Sequence, residues 1–190
     1  MTTLFVFRHG QTDMNKQRRW QGKSVDSPLN DEGRRQARLL AKKMAQSRLD
    51  IIYSSPLKRA LETAQIIGEA LCVPVVADDR LTEASLGDTE GKTAEDIRRL
   101  FPKEFADWHN LDDAFLDARF PHGESKREIQ QKMIAAMTDL AQRPYQNIGI
   151  AAHSAVIRYF ILSMGVRMPD IPHDRALKIT FIDGVFRFDG

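Results

Sequence analysis

Five residues of this 190-residue chain have the side chains that phosphoryl chemistry needs: Arg8, His9, Arg59, Glu83 and His153. Gathered in one pocket, two guanidinium groups, two imidazoles and a carboxylate suit a phosphate dianion, because a guanidinium fork matches phosphate oxygens in pairs. A neutral imidazole nitrogen there can attack phosphorus in line while the cations stabilise charge on the equatorial oxygens. A carboxylic acid can protonate the leaving alkoxide and then act as base toward water. This scheme calls for no metal and no cofactor, since the arginines and the other imidazole carry the positive charge. It does require the attacking histidine to be held in one tautomer, a task for a backbone carbonyl. Singly, each residue has a plainer reading: a histidine capping a turn, an arginine in a surface ion pair, an acid in a solvated loop.

The elements around these residues give the reason to gather them. The apolar run "LFVF" reads as a buried strand that stops at Arg8 and His9. Strands are also expected at "LDIIYSS", "VPVVAD" and "NIGIAA", with Arg59 in the first turn of the helix after the second, Glu83 beyond the third and His153 after the fourth. Pro56 fits the first turn of that helix. Asn30 caps a helix whose Ala37, Leu40, Ala41 and Met44 share one face, and Ser125 with Glu128 forms a capping box before Ile129, Met133, Met137 and Leu140. Thr93 and Asp96 resemble a capping pair. A helix is expected from about Ala155 to Met164, and "ALKITFID" with "VFRFDG" reads as a closing hairpin around Asp183 and Gly184. Strand and helix in alternation predict an α/β fold, a mainly parallel central sheet with helices on both faces. Parallel strand ends point to one edge, where such sheets bind ligands. Helix N-termini behind His153 and Pro56 are expected to add N–H groups for the anion.

The segments "RHGQTDMN", "SSPLKRALETA", "LTEASLGDTEGKT", "FPHGES" and "AAHSAVIRYFI", in this order, resemble the histidine phosphatase superfamily, the phosphoglycerate mutase-like fold, from about Leu4 to Gly165. The resemblance implies one domain over residues 1–190. It makes His9 the nucleophile that becomes a phosphohistidine, Arg8, Arg59 and His153 the phosphoryl-binding groups, and Glu83 the proton donor. Asn15 matches a phosphate-contacting asparagine, and Gln21 and Gly22 match the loop bordering the substrate. Ser154 and Ala155 stand where the family has glycines, and Ser154 can donate to the phosphate. Thr89 and His122 also depart from the pattern, at positions taken as substrate-side. The implied activity is hydrolysis of a small phosphate ester, with α-ribazole phosphatase as a narrower case. A cofactor-dependent phosphoglycerate mutase is the alternative, disfavoured by only 69 residues between Glu83 and His153. A non-catalytic phosphate-binding module is another, against which the intact reactive set argues.

Composition narrows the field further. A net charge of +2, with acids and bases interleaved, lacks the basic stripe of a nucleic-acid binder. No stretch has the ~18–20 apolar residues of a membrane span, and the single cysteine, Cys72, in apolar "EALCVPV", reads as a buried spectator in a cytoplasmic protein. The run "GDTEGKT" has three residues, not four, before its GK pair, so it is no P-loop, and Asp78 stands where a cysteine phosphatase needs arginine. No histidine spacing suits a metal. His109, His122 and His173 read as surface or loop residues, His122 with a place at the rim. The pairs at Arg18, Arg34 and Arg98 read as solvated helix charge, whereas Trp20, beside Gln21 and Gly22, has a place at the pocket mouth. Monomer and homodimer both stay open.

Overall fold

A computed structural model describes residues 1–190. Strands β1 (Thr2–Arg8), β2 (Ile51–Ser54), β3 (Val75–Ala77), β4 (Asn147–Ala152), β5 (Ala176–Ile182) and β6 (Val185–Phe188) form one sheet in the order β3-β2-β4-β1-β5-β6. The first four strands in that order are mutually parallel, β5 runs antiparallel to β1 and β6 antiparallel to β5, so the sheet is mixed but mainly parallel. Asp183 and Gly184 turn the closing hairpin with φ of 51° and 82°, the left-handed conformation that two-residue hairpins require.

The helices are α1 (Asp13–Lys16), α2 (Asp31–Lys43), α3 (Lys58–Leu71), α4 (Ala94–Leu100), α5 (Pro102–His109), α6 (Lys126–Ala141) and α7 (Ser154–Leu162). Successive strand residues serve opposite faces. Val6 and Ile150 pack with Ile129, Met133 and Phe160 of α6 and α7, whereas Phe7 and Ala151 pack with Leu40, Ala64 and Ile67 of α2 and α3. Both faces are therefore covered, which is why the strands are apolar throughout rather than alternating.

The caps at Asn30, Thr93 and Ser125 form as the sequence indicates, each side chain accepting the backbone N–H three residues on. Pro56 differs: it precedes the N-cap Leu57 and lies outside the helix, and the Lys58 N–H is capped by the Asp26 carboxylate at 2.7 Å. Cys72 is exposed, in the left-handed C-cap of α3 with φ of 57°, because the apolar run around it ends a helix rather than filling a core. The short helix α1, made by a capping box between Thr12 and Asn15, is an element the sequence reading passed over. Two glycines let this region close. A Cβ on Gly10 would stand 2.4 Å from the Gly33 carbonyl oxygen, and one on Gly33 would stand 2.1 Å from that of Gln11.

Candidate active site

The register of β1 on β4 pairs Arg8 with Ala152, so the residues that follow, His9 and His153, leave neighbouring strand ends together. Their ring centroids are 5.3 Å apart. A cavity of about 260 Å³ opens at this edge, and Arg8, His9, Arg59, Glu83, Asn15, Gln21, Gly22 and Ser154 all lie on its wall. His153 is fully buried beside His9 rather than on the wall. All nine expected residues are thus at one place, drawn from β1, α1, the loop before α2, α3, the segment after β3 and the start of α7.

His9 Nδ1 is 2.7 Å from the carbonyl oxygen of Gly10. A carbonyl only accepts, so Nδ1 carries the proton and Nε2 keeps its lone pair. Burial pushes the His9 imidazole well below its ordinary pKa, helped by His153, Arg8 and Arg59, so it is neutral near neutral pH. His153 is depressed in the same direction by burial and then by the two arginines, so it is neutral and, against the expectation from sequence, adds no positive charge. Its Nε2 lies 2.7 Å from the Ser55 hydroxyl, which can donate to it when the proton is on Nδ1.

Four buried nitrogens here lack any partner: Arg8 Nε, Arg59 Nε, Arg158 Nε and His153 Nδ1. Buried donors are rarely left so, and a cluster of them suits an oxyanion. The outer nitrogens of the Arg8 and Arg59 guanidinium groups are already fixed. Arg8 Nη1 donates to Asp170 at 2.9 Å and to the Ile171 carbonyl at 3.1 Å, while Arg59 donates to the Val25 and Gly22 carbonyls, both at 2.8 Å. Burial lowers the pKa of both arginines, and the charge of Glu83 opposes that shift in each.

The expected role of the helix N-termini is corrected by the N–H partners. The Ala155 and Val156 N–H groups of α7 point to the Glu83 carboxylate at 3.4 and 3.3 Å, and Ala84 N–H joins them at 3.0 Å. At α3 the Lys58 N–H goes to Asp26, as described above. These termini therefore hold carboxylates, and in the case of Glu83 they set its place in the site.

Asn15 Oδ1 accepts from the Thr12 N–H and hydroxyl, which leaves its NH₂ as the donor on the cavity side. Gln21 accepts from Ser27 Oγ at 2.6 Å. Gly22 has φ of 59°, and a Cβ there would meet Glu90 Oε1 at 2.1 Å. That carboxylate is an organiser the sequence reading missed: Oε1 accepts from the Lys23 and Leu86 N–H groups, and Oε2 from the Ser24 N–H and hydroxyl.

Several other readings change. Of the departures from the family pattern only Ser154 and Ala155 line the cavity; Thr89 is fully buried with its hydroxyl on the Leu86 carbonyl, and exposed His122 pairs with Asp88 away from the wall. His109 is on the wall, its Nδ1–H donated to the Phe105 carbonyl at 2.7 Å and its ring 4.2 Å from that of Phe105. His173 lies in a loop, as expected, but is partly buried: its Nδ1 donates to the His9 carbonyl at 2.5 Å, and burial brings its pKa down to about 4. Arg19, beside Arg18, lines the cavity, and Arg98 lies over the Phe105 ring at 5.0 Å. Trp20 lines the cavity as expected, and it also packs against Phe105 and Phe120. Lys126, fully buried, donates to the Asp107 and Asn110 carbonyls at the end of α5; burial, then the charge of Arg158, lowers its pKa to about 8.

Residues 4–178 match the family described as the histidine phosphatase superfamily (branch 1). The phosphatase PhoE of Bacillus subtilis is 34% identical over 179 residues, covering 94% of this chain and 85% of that protein. Phosphoserine phosphatase 1 of Hydrogenobacter thermophilus is 31% identical over 163 residues, 83% of this chain and 74% of that one. Among solved structures, Bacillus stearothermophilus YhfR superposes with a TM-score of 0.86 at 32% identity, over 100% of this chain and 96% of that one. No helix is long and apolar enough to cross a membrane.

Proposed function

Because the chain belongs to the histidine phosphatase superfamily, we propose that it hydrolyses small phosphate monoesters through a phosphohistidine formed on His9. The observation that carries this reading is the tautomer. The Gly10 carbonyl fixes the proton on Nδ1, so a neutral Nε2 lone pair stands on a cavity wall among unpartnered cationic donors. We read residues 1–190 as one such domain, since one continuous sheet carries every element and the family match spans most of it.

In this mechanism His9 Nε2 attacks phosphorus, the N–P bond forms and the ester P–O bond breaks with its electron pair on the leaving oxygen. Arg8, Arg59 and the His153 Nδ1–H stabilise the equatorial oxygens, with the Asn15 amide and Ser154 hydroxyl at the margin. Glu83 gives its proton to the departing alkoxide. Water then attacks the phosphohistidine, Glu83 takes its proton, and the N–P bond breaks to free His9. Gln21 and Gly22 border the substrate, and Gly22 also anchors Arg59 through its carbonyl.

Phosphate release from a panel of aryl, sugar, glycerate and α-ribazole phosphates, with EDTA present and His9→Ala as control, tests the reading. Turnover that persists in EDTA and disappears in the variant is expected, with vanadate still binding to the variant. Substantial residual hydrolysis by His9→Ala would sink the phosphohistidine assignment.

A further inference from the structure

The phosphoryl machinery leaves two cations of the cavity wall unused, Arg19, which is exposed, and Arg158. Arg158 lies on α7, one helical turn past Ser154, and is more than half buried. Its Nη1 donates to the Pro169 carbonyl at 3.0 Å and its Nη2 to the Tyr159 hydroxyl at 2.8 Å, and that hydroxyl donates in turn to the Trp108 carbonyl at 3.2 Å. Its Nε is buried with no partner at all. Every group that fixes this guanidinium is neutral, and none of the ion pairs of the protein includes it.

The charges around it are of the wrong sign to compensate. Arg8, His109 and Lys126 each feel the charge of Arg158 as repulsion. The acids on the cavity wall are Glu83, held by three backbone N–H groups, and Asp170, paired with Arg8 at 2.9 Å. Arg19, also on the wall, donates only to the Gly91 carbonyl and has no acid partner either. With Glu83 holding the proton that the proposed mechanism gives to the leaving group, four arginines against the charge of Asp170 leave one positive charge beyond what a phosphate dianion balances. A partly buried cation without a counter-ion keeps part of its desolvation cost, and a ligand anion that reaches it offsets that cost. The cavity, about 260 Å³, lies at the small end for ligand sites and limits that ligand to a few carbons beyond the phosphate.

We propose that Arg158 is the specificity residue of this site and receives a carboxylate on the carbon skeleton of the substrate. The substrate class is then a small phosphorylated carboxylic acid. This rests on the phosphatase reading above, and the experiment separates the two. Steady-state kcat and KM are measured for two matched pairs, 3-phosphoglycerate with glycerol 3-phosphate and O-phosphoserine with phosphoethanolamine, alongside p-nitrophenyl phosphate. Within a pair the esters differ chiefly by the carboxylate. At least one carboxylate ester is expected to exceed its partner in kcat/KM by about 10- to 100-fold, the range for a hydrogen-bonded charge. Arg158→Gln is expected to reduce that preference about tenfold or more, mainly through KM, and Arg158→Lys to restore part of it by point charge. Hydrolysis of the aryl ester with no carboxylate preference in either pair would overturn the specificity assignment and leave the phosphatase reading standing. Equal losses on all esters in both variants would make Arg158 structural and overturn it as well. No hydrolysis of any ester would overturn both.

Discussion

His173 offers a test of how the site is held together that does not depend on the substrate. Its Nδ1–H holds the His9 carbonyl, and burial, with the charge of Arg8, brings its pKa down to about 4 from an ordinary 6.5. Above the ordinary value both folded and unfolded forms are neutral and the residue makes no pH-dependent contribution. Below it the unfolded chain takes up a proton that the folded protein refuses until about pH 4, so stability falls as pH drops through that window. Integrating the two binding curves gives a loss of about 2 kcal/mol at about pH 5 relative to pH 7. His173→Gln removes this titration, while His9 and His153, both depressed, remain in wild type and variant and largely cancel in the difference. Urea unfolding near pH 7 and pH 5 should show the wild type losing about 2 kcal/mol more than the variant over the interval. Parallel pH dependences, or a steeper loss in the variant, would refute the reasoning.

Three further outcomes are expected. Glu83→Gln should cost about 10²- to 10⁴-fold in kcat on alkyl phosphates and clearly less on p-nitrophenyl phosphate, whose leaving group needs little protonation; equal losses would remove Glu83 from the acid role. Gly10→Ala, placing a Cβ 2.4 Å from the Gly33 carbonyl oxygen, should destabilise by about 1–3 kcal/mol in denaturant melts, and an unchanged midpoint would contradict the close approach of these backbones. Lys126→Met should leave two carbonyls at the end of α5 without their donor and lower stability by about 1–3 kcal/mol, read from thermal unfolding.

The gathering of Arg8, His9, Arg59 and His153 was legible because each follows a strong local signal. Arg8 and His9 end an apolar run, His153 ends another, and Arg59 enters a helix after a third; parallel pairing then brings those ends to one edge. What stayed hidden was whatever depends on contacts between distant segments. Nothing near His173 or Asp170 in sequence announces that they meet His9 and Arg8, more than 160 positions away. Arg158 and Lys126 look like ordinary helix charges until α5 packs across them. Glu90 sits in a run that resembles a phosphate loop, yet its carboxylate serves four donors of the neighbouring loops. Cys72 misled because an apolar neighbourhood in sequence ended in a left-handed turn at the surface.

The stretch from Pro169 to His173, between α7 and β5, touches Arg158, Arg8 and His9 in turn, and Asp174 ties its far end to Lys43 of α2. Its course is set by β5, which docks beside β1 on the side away from β4. During synthesis the first strand and its histidine emerge early, but their final neighbours leave the ribosome only after more than 160 further residues have been added. A nascent chain that has folded through α7 therefore possesses the reactive side chains without the fastening that fixes them. A product truncated before β5 lacks both that fastening and the strand paired along the length of β1, and should be inactive.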